Sequence, residues 1–418
     1  MDKSKIRPIR GTKDLIAEEA RLFDFIIKKS CAVFENYGYS PIYTPIIEFS
    51  EIFSRTLGDF SDVVSKEMYS FADRGNESIT LRPEFTAGIA RACISNTMLQ
   101  NLPLRLYTHG PLFRYERPQL GRQRQFHQVN IECLGIANPR ADAEIIAMAV
   151  SLIKELGLNE VTTLNINSLG CSDSRKNYTQ SLKNYFEKYK NDLSEDSKIR
   201  LEKNPLRILD SKNENDQKIA ATAPSIEQSY SPDSQKFFDS LQEYLALLGI
   251  AFYINKSLVR GLDYYCHTTF EMITDKLGAQ SAVLGGGRYD KLIEMLGGPS
   301  TPGVGFGAGM ERLLLLLKDQ KLNVNSVNII AIGEDAVKNK ALTIAAIFRE
   351  AGLRVIDNYD DSLNKAIKKA NKDASKFVIF IGDEELTSNL IKLKNFVTGE
   401  QELISIESAI NKIKGSFV

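Results

Sequence analysis

Histidine is scarce in this 418-residue chain. There are three, His109, His127 and His267, too few to expect a histidine-rich metal site. The five cysteines (Cys31, Cys93, Cys133, Cys171, Cys266) are odd in number, widely spaced and without a Cys-x-x-Cys pair. That pattern speaks against a disulfide framework and a zinc site, and predicts reduced thiols. No apolar run approaches the roughly 18 residues of a membrane span, so no membrane partner is expected. The longest candidate, Leu313 to Leu317, is a short piece of helical core. The opening Met-Asp-Lys-Ser-Lys-Ile-Arg has no apolar stretch for a secretory signal, and its early acidic residue argues against a transit peptide. A cytoplasmic protein is expected. Net charge is lacking too: Lys+Arg and Asp+Glu both total 53. A nucleic-acid partner would have to be held by local basic patches.

What is present is an ordinary folded composition, 43% apolar and 25% charged, with length enough for two or three domains. Texture divides the chain. Residues 6–170 mix helical runs with strand-like alternation, and 171–248 turn helical, polar and rich in Lys and Asn. Strand signals and glycines return from 250 to 317, and a polar break covers 318–326. Short apolar, β-branched runs at 328–333, 353–357 and 377–382 then alternate with stretches long enough for crossover helices. They predict a small α/β domain with parallel pairing. The simplest division is a domain 1–325, interrupted by a helical insertion at about 171–248, followed by a module 326–418.

Three segments carry chemistry. In Phe113-Arg-Tyr-Glu116 the alternation predicts a strand with Arg114 and Glu116 on one face. A basic loop, 117–125, leads to a second strand in which Phe126, Gln128, Asn130 and Glu132 face one way. His127, Val129, Ile131 and Cys133 face the other, and His127 is read as a packed structural residue. The polar face reads either as a solvated hairpin or as a floor for a small polar ligand. An aromatic residue there, Phe126, fits a stacked adenine better than it fits solvent. In Leu258-Val-Arg-Gly-Leu-Asp-Tyr-Tyr265, Arg260 sits among apolar residues where it would reach an anionic ligand or pair with Asp263. Finally, Gly285-Gly-Gly287 precedes Arg288-Tyr289-Asp290, and the period-two glycines 303, 305, 307 and 309 strip one face of a strand of its side chains. Such faces admit either tight packing or a flat ligand. Their spacing matches neither a Walker A loop nor a Rossmann fingerprint.

Together these residues resemble the histidyl-tRNA synthetases of bacterial type, a family of class II aminoacyl-tRNA synthetases. Arg114 in Phe-Arg-Tyr-Glu resembles class II motif 2, Gly305 to Arg312 motif 3, and Pro45 in Tyr-Thr-Pro-Ile-Ile-Glu the motif 1 proline. Leu258–Tyr265 and Gly-Gly-Gly-Arg-Tyr-Asp290 resemble the two signature peptides of the histidine enzyme. Leu81-Arg-Pro-Glu84, Arg-Gly-Thr-Lys-Asp14, Asn-Pro-Leu-Arg-Ile-Leu-Asp-Ser-Lys212 and Thr398-Gly-Glu-Gln401 are also similar to the family. The resemblance spans essentially the whole chain. It implies an α+β fold: a class II antiparallel sheet flanked by helices, with a helical insertion and a C-terminal α/β anticodon-binding domain.

The activity implied is ATP-dependent attachment of L-histidine to histidine tRNA through histidyl-adenylate. ATP with Mg²⁺ would be the co-substrate; no permanently bound cofactor and no protein-held metal are expected, and the enzyme would be a homodimer. Carried over to this chain, Glu84, Thr86 and Gln128 would hold the histidine ammonium. Glu132 and Tyr265 would take the imidazole nitrogens, and Tyr264 would wall the pocket. Arg114 and Arg260, the catalytic pair, would bracket the histidine carboxylate and the α-phosphate. Arg312 would bind the γ-phosphate, Glu116 and Arg124 would help bind ATP, and Phe126 would stack on adenine. Gln119 and Arg122 lie on a loop that in the family approaches the tRNA acceptor end.

Departures are few. Phe85 stands where many relatives have glycine and is expected to reshape the ammonium pocket. Leu120 replaces a frequent lysine, and Cys266-His267 is atypical. In the tail, Lys365, Lys368, Lys369 and Lys372 form one helical stripe, read either as a solvated face or as a phosphate track. Two rival functions remain. One is the non-catalytic, synthetase-like regulatory subunit of ATP phosphoribosyltransferase. The other is a synthetase for another amino acid such as proline or threonine.

Overall fold

The computed structural model describes residues 6–57, 63–209, 211, 213–259, 264–278, 281–322, 325–358, 362–373, 375–388 and 390–417. The chain forms two compact units, Met1–Asp319 and Gln320–Val418. In chain order the strands of the first are β1 Ser40–Pro41, β2 Ile47–Phe49, β3 Tyr69–Ala72, β4 Ser78–Leu81, β5 Leu104–Phe113, β6 Gln125–Leu134, β7 Thr163–Ser168, β8 Tyr253–Ile254, β9 Cys266–Ile273, β10 Ala282–Arg288 and β11 Gly303–Gly309. Eight of them form one sheet in the order β1-β5-β6-β11-β10-β9-β7-β8, antiparallel except at its two edges. A small second sheet, β2-β4-β3, lies apart from it in the pairing.

Alternation decides which face of the large sheet is covered. Val129 and Ile131 of β6 and Val304, Phe306 and Ala308 of β11 are all buried. Helices Ala17–Asn36, Pro139–Glu155 and Met310–Leu317 pack on this side, with Phe34 of the first helix 6.0 Å from the Phe306 ring. The middle helix starts where Asn138 caps the Arg140 N–H and Pro139 occupies its first turn. On the opposite face Glu132 pairs across the ladder with Gly305, and Gly305 with Gly287. A Cβ at Gly305 would collide with the Glu132 carboxylate and the Ile131 carbonyl. The bare glycine rows therefore make room for the polar side chains of β6.

Between β7 and β8 the chain is helical: Ser172–Phe186, Glu195–Lys203, Glu214–Ala220 and Pro232–Leu247, with Ser194, Asn213 and Ser231 as side-chain N-caps. The first two share a core of Leu182, Phe186 and Leu201 with Leu206 and Ile208 of the turn that follows, against which Ile219 and Ala220 of the third pack, while Pro232–Leu247 packs on helix Pro139–Glu155.

The second unit has strands β12 Ser326–Ala331, β13 Arg354–Asp357, β14 Phe377–Ile381, β15 Leu390–Asn395 and β16 Gln401–Ser405. β12 pairs in parallel with β13 and β14, while β15 and β16 add an antiparallel edge. Sequence patterning alone missed that edge, because Lys392 and Lys394 alternate with the buried Ile391 and Leu393 and break the apolar run. Val327, Ile329 and Ile379 pack on helices Asp335–Glu350 and Ile406–Ser416; Ile330 and Val378 pack on Ala366 and Ala370 of helix Leu363–Lys372. Residues 365, 368, 369 and 372 lie on the exposed side of that helix.

Candidate active site

The polar face of the large sheet opens into a cleft of about 670 Å³. Phe126 and Gln128 of β6, Gly285 of β10, and Gly307 and Gly309 of β11 line it. Around them stand Arg114, Glu116, Arg122 and Arg312. Five residues expected at the ATP and histidine ends of a site, Arg114, Glu116, Phe126, Gln128 and Arg312, thus meet in one place, together with Arg122, expected at the tRNA acceptor end.

Arg114 and Glu116 reach the cleft by a route that alternation did not foresee. β5 ends at Phe113, so the two residues lie in irregular chain beyond it and do not share a strand face. The Arg114 guanidinium donates to the Pro83 carbonyl at 2.9 Å and lies 5.4 Å from the Phe126 ring. Glu116 forms an ion pair with Arg122 at 2.5 Å, which draws Arg122 from the outer loop into the cleft wall. Gln119 stays exposed, bridged to Arg122 through the backbone. Arg124 does not line the cleft among the described residues. It stacks over Tyr115 at 3.8 Å and donates to the Glu116 carbonyl. Arg312 opens its helix and donates to the carbonyls of Gly121 and Ala282. Burial, together with Arg122, lowers its pKa.

Farther along the same strand face lies a buried polar cluster. Glu132, 1% exposed, accepts from Thr86 Oγ1 at 2.6 Å, from Asn130 Nδ2 at 2.8 Å and from the Tyr289 hydroxyl. Burial pushes its carboxyl up to about 8 in spite of these donors. Glu84 accepts the Thr86 and Ala87 amides at 2.6 and 2.7 Å, capping helix Thr86–Ser95, and burial raises its pKa as well. Tyr264 and Tyr265 lie with ring centroids 4.6 Å apart and their planes tilted by 42°, and Tyr264 meets Tyr289 edge-on at 5.7 Å. Burial also raises the Tyr264 hydroxyl well above its ordinary range. The Thr86 hydroxyl is thus aimed at Glu132. Arg260 and its alternative partner Asp263 lie outside the described residues.

Some signature residues are structural. Arg288 is fully buried on Asp142 and also donates to the Ile136 carbonyl and Asp290. Arg82 ties the Thr44 and Pro45 carbonyls to that of Pro111, and lies over the Phe85 ring. Phe85 packs in the core. His127 binds Glu311 at 2.8 Å and packs on Phe23. Leu120 is 66% exposed. His267 stacks on Phe237 at 4.4 Å, and the Cys266 sulfur accepts the Asp290 amide.

A family model described as Histidyl-tRNA synthetase matches residues 11–313, and one described as Anticodon binding domain matches 326–416. The chain belongs to the histidyl-tRNA synthetase family. It is 47% identical to the histidine–tRNA ligase of Rickettsia bellii (strain RML369-C) over 99% of both chains. Apo histidyl-tRNA synthetase of S. aureus superposes with a TM-score of 0.80 at 34% identity, covering 98% of this chain and 100% of that one. A Bacillus halodurans C chain described as an ATP phosphoribosyltransferase regulatory subunit/histidyl-tRNA synthetase is 21% identical with a TM-score of 0.63, covering 90% of this chain and 98% of that one. At that identity it shows the fold alone, so the regulatory-subunit alternative has the weaker support.

With the family shown, the chain is a class II synthetase, an aminoacyl-tRNA ligase. Two parts of the site, one in the buried cluster and one in the cleft, escaped sequence reasoning. Tyr289 was visible in its signature peptide, yet nothing local says that its hydroxyl meets Glu132. Ser194, Asp196, Arg200, Arg207, Ser211 and Asn213 of the helical insertion also line the cleft. Only the Asn-Pro-Leu-Arg-Ile-Leu-Asp-Ser-Lys resemblance hinted at some of them.

Proposed function

We propose that the chain joins L-histidine to histidine tRNA in two steps. The histidine carboxylate attacks the ATP α-phosphate, releasing diphosphate and leaving histidyl-adenylate; the terminal ribose 3′-hydroxyl of the tRNA then displaces AMP. One observation carries the reading: a single strand face runs from Phe126 and Gln128 in an arginine-walled cleft to the buried carboxylate Glu132.

Adenine stacks on Phe126, with Glu116 and Arg124 assisting. Arg114 and Arg260 act at the carboxylate and α-phosphate, and Arg312 at the γ-phosphate, where fixed cations offset charge developing in the transition state. Glu132 and Tyr265 read the imidazole, and Tyr264 walls it. Glu84, Gln128 and Thr86 face the ammonium. Each Glu84 oxygen and Glu132 Oε2 accept one donor and keep a second lone pair for a ligand N–H, whereas Glu132 Oε1 already takes both Thr86 and Asn130. Gln119 and Arg122 serve the tRNA acceptor end, Arg122 while paired with Glu116. Mg²⁺ enters with ATP, in keeping with its preference for substrate phosphates; among the described residues no group of three or more His, Cys, Asp or Glu is placed to hold a metal. The functional boundary falls near residue 325, with 1–325 catalytic, its insertion at about 171–248, and 326–418 reading the anticodon.

The enzyme works as a cytoplasmic homodimer. In support, Tyr43, Ile46, Ile47, Phe49 and Phe71, around the motif 1 proline Pro45, are exposed apolar residues of the kind an isologous interface covers. No helix of the described residues is long and apolar enough to cross a membrane. ATP–pyrophosphate exchange with each amino acid in turn tests the function. Histidine alone should support exchange; exchange with proline or threonine instead would overturn the assignment. Light scattering should give twice 46.8 kDa, and a stable, active monomer would overturn the dimer.

A further inference from the structure

The helical insertion holds a carboxylate that no step of this chemistry uses. Asp216 is fully buried. It accepts the Ser194 N–H at 2.9 Å, the Ser194 and Ser197 hydroxyls at 2.6 Å and the Ser211 hydroxyl at 2.7 Å. Burial by itself would raise its pKa, but these donors outweigh it and hold the carboxyl below its ordinary value.

The donors come from two separate segments. Ser194 caps helix Glu195–Lys203, and Ser197 lies in its first turn. Ser211 ends the stretch that follows the turn Pro205–Ile208. Arg200 donates across the same junction to the Arg207 carbonyl at 3.2 Å. Of the insertion residues that line the cleft, Ser194, Asp196, Arg200, Arg207 and Ser211 belong to these two segments, and Asn213 caps the helix that carries Asp216 itself. Asp216 is therefore the staple of one cleft wall. That wall places two guanidiniums in the space that also holds Arg114, Arg122 and Arg312. A guanidinium presents a rigid fork of donors matched to phosphate oxygens, so its value depends on being held at the right angle.

We propose that Asp216 is a positioning residue, which holds Arg200 and Arg207 in the cleft so that they bind the triphosphate of ATP. The proposal rests on the reading of this cleft as the ATP site.

The test is steady-state ATP–pyrophosphate exchange without tRNA on the full chain. It compares Asp216→Asn, Arg207→Gln, Arg200→Gln, the Asp216→Asn/Arg207→Gln double variant, and Arg312→Gln as a control. Each arginine variant and Asp216→Asn should raise the KM for ATP, by about tenfold for loss of a charge-assisted contact. The KM for histidine should stay put. Since Asp216 acts through the wall, the double variant should fall well short of the product of the two single effects. A destabilised fold alone would lower active enzyme and kcat without that split. Should Asp216→Asn fail to fold by circular dichroism, the arginine variants still decide. An unmoved KM for ATP in both overturns the proposal. So does a rise confined to the KM for tRNA in aminoacylation, which would assign the wall to the acceptor end. If Arg312→Gln also leaves the KM for ATP unchanged, the ATP reading of the cleft fails as well; if it alone raises it, only the wall proposal does.

Discussion

The two larger sheets of this chain bury different things. In the five-stranded sheet, β12 and β14 put Val327, Ile329, Ile330, Val378 and Ile379 against helices on both faces. In the eight-stranded sheet only one face of β6 and β11 is apolar; the other carries Gln128, Asn130 and Glu132 over rows of glycine. A sheet built for stability can use almost any well-fitting aliphatic set. A sheet built to hold a polar ligand must leave volume open and satisfy each buried polar group, since an unpaired one costs about 1–3 kcal/mol. The eight-stranded sheet meets that demand with glycine, hydroxyls and carboxylates in fixed register, so small changes there should matter more for activity than larger ones in the five-stranded sheet.

The sharpest break would be Gly305→Ala. A methyl there collides with both the Glu132 carboxylate and the Ile131 carbonyl, so histidine-dependent exchange should fall by about 10²-fold or more, as for misplacement of a reacting group. Near-normal exchange would show that the glycine row is mere packing. Truncation after Asn325 should leave exchange largely intact while tRNA charging collapses, because the missing unit has its own core and none of the proposed adenylation residues. Full aminoacylation by the truncated chain would reduce that unit to a structural appendage.

Glu132→Gln should weaken histidine by about 1–3 kcal/mol, read as a KM rise for histidine and not for ATP. It should also change the pH dependence of stability. Burial lifts the Glu132 carboxyl from an ordinary 4.5 to about 8. Between those values the folded state binds more protons than the unfolded, so wild-type stability falls as pH rises through that window and levels off above it. Glutamine removes the titration, and its profile should be flatter there; parallel unfolding curves for the two proteins would refute this. Smallest in effect is Ile329→Val in the five-stranded sheet, at about 0.5–1.5 kcal/mol of stability. Exchange should be unchanged, and a large loss of exchange would dissolve the contrast between the sheets.

Much of this was legible in advance. The period-two pattern of residues 126–133 assigned each side chain of β6 to its face, and His127 did pack on the helix side. The glycine spacing marked β11, and the β-branched runs of the tail marked three strands within two residues of where they lie. All of these are local signals. The strand end at Phe113 was not legible, because polar alternation continues past the last ladder partner, Gln125.

The sequence by itself determined the family, the strand faces and the residue types of the site, since periodicity and motif chemistry are written within a dozen neighbouring residues. Tertiary structure alone decided which of those residues meet. The Tyr289 hydroxyl reaches Glu132 across 157 positions, Arg122 turns inward because Glu116 is there, and Asp216 gathers Ser194 and Ser211 into one wall. Such pairings depend on how strands register and helices dock, and no local pattern records where a distant hydroxyl will be.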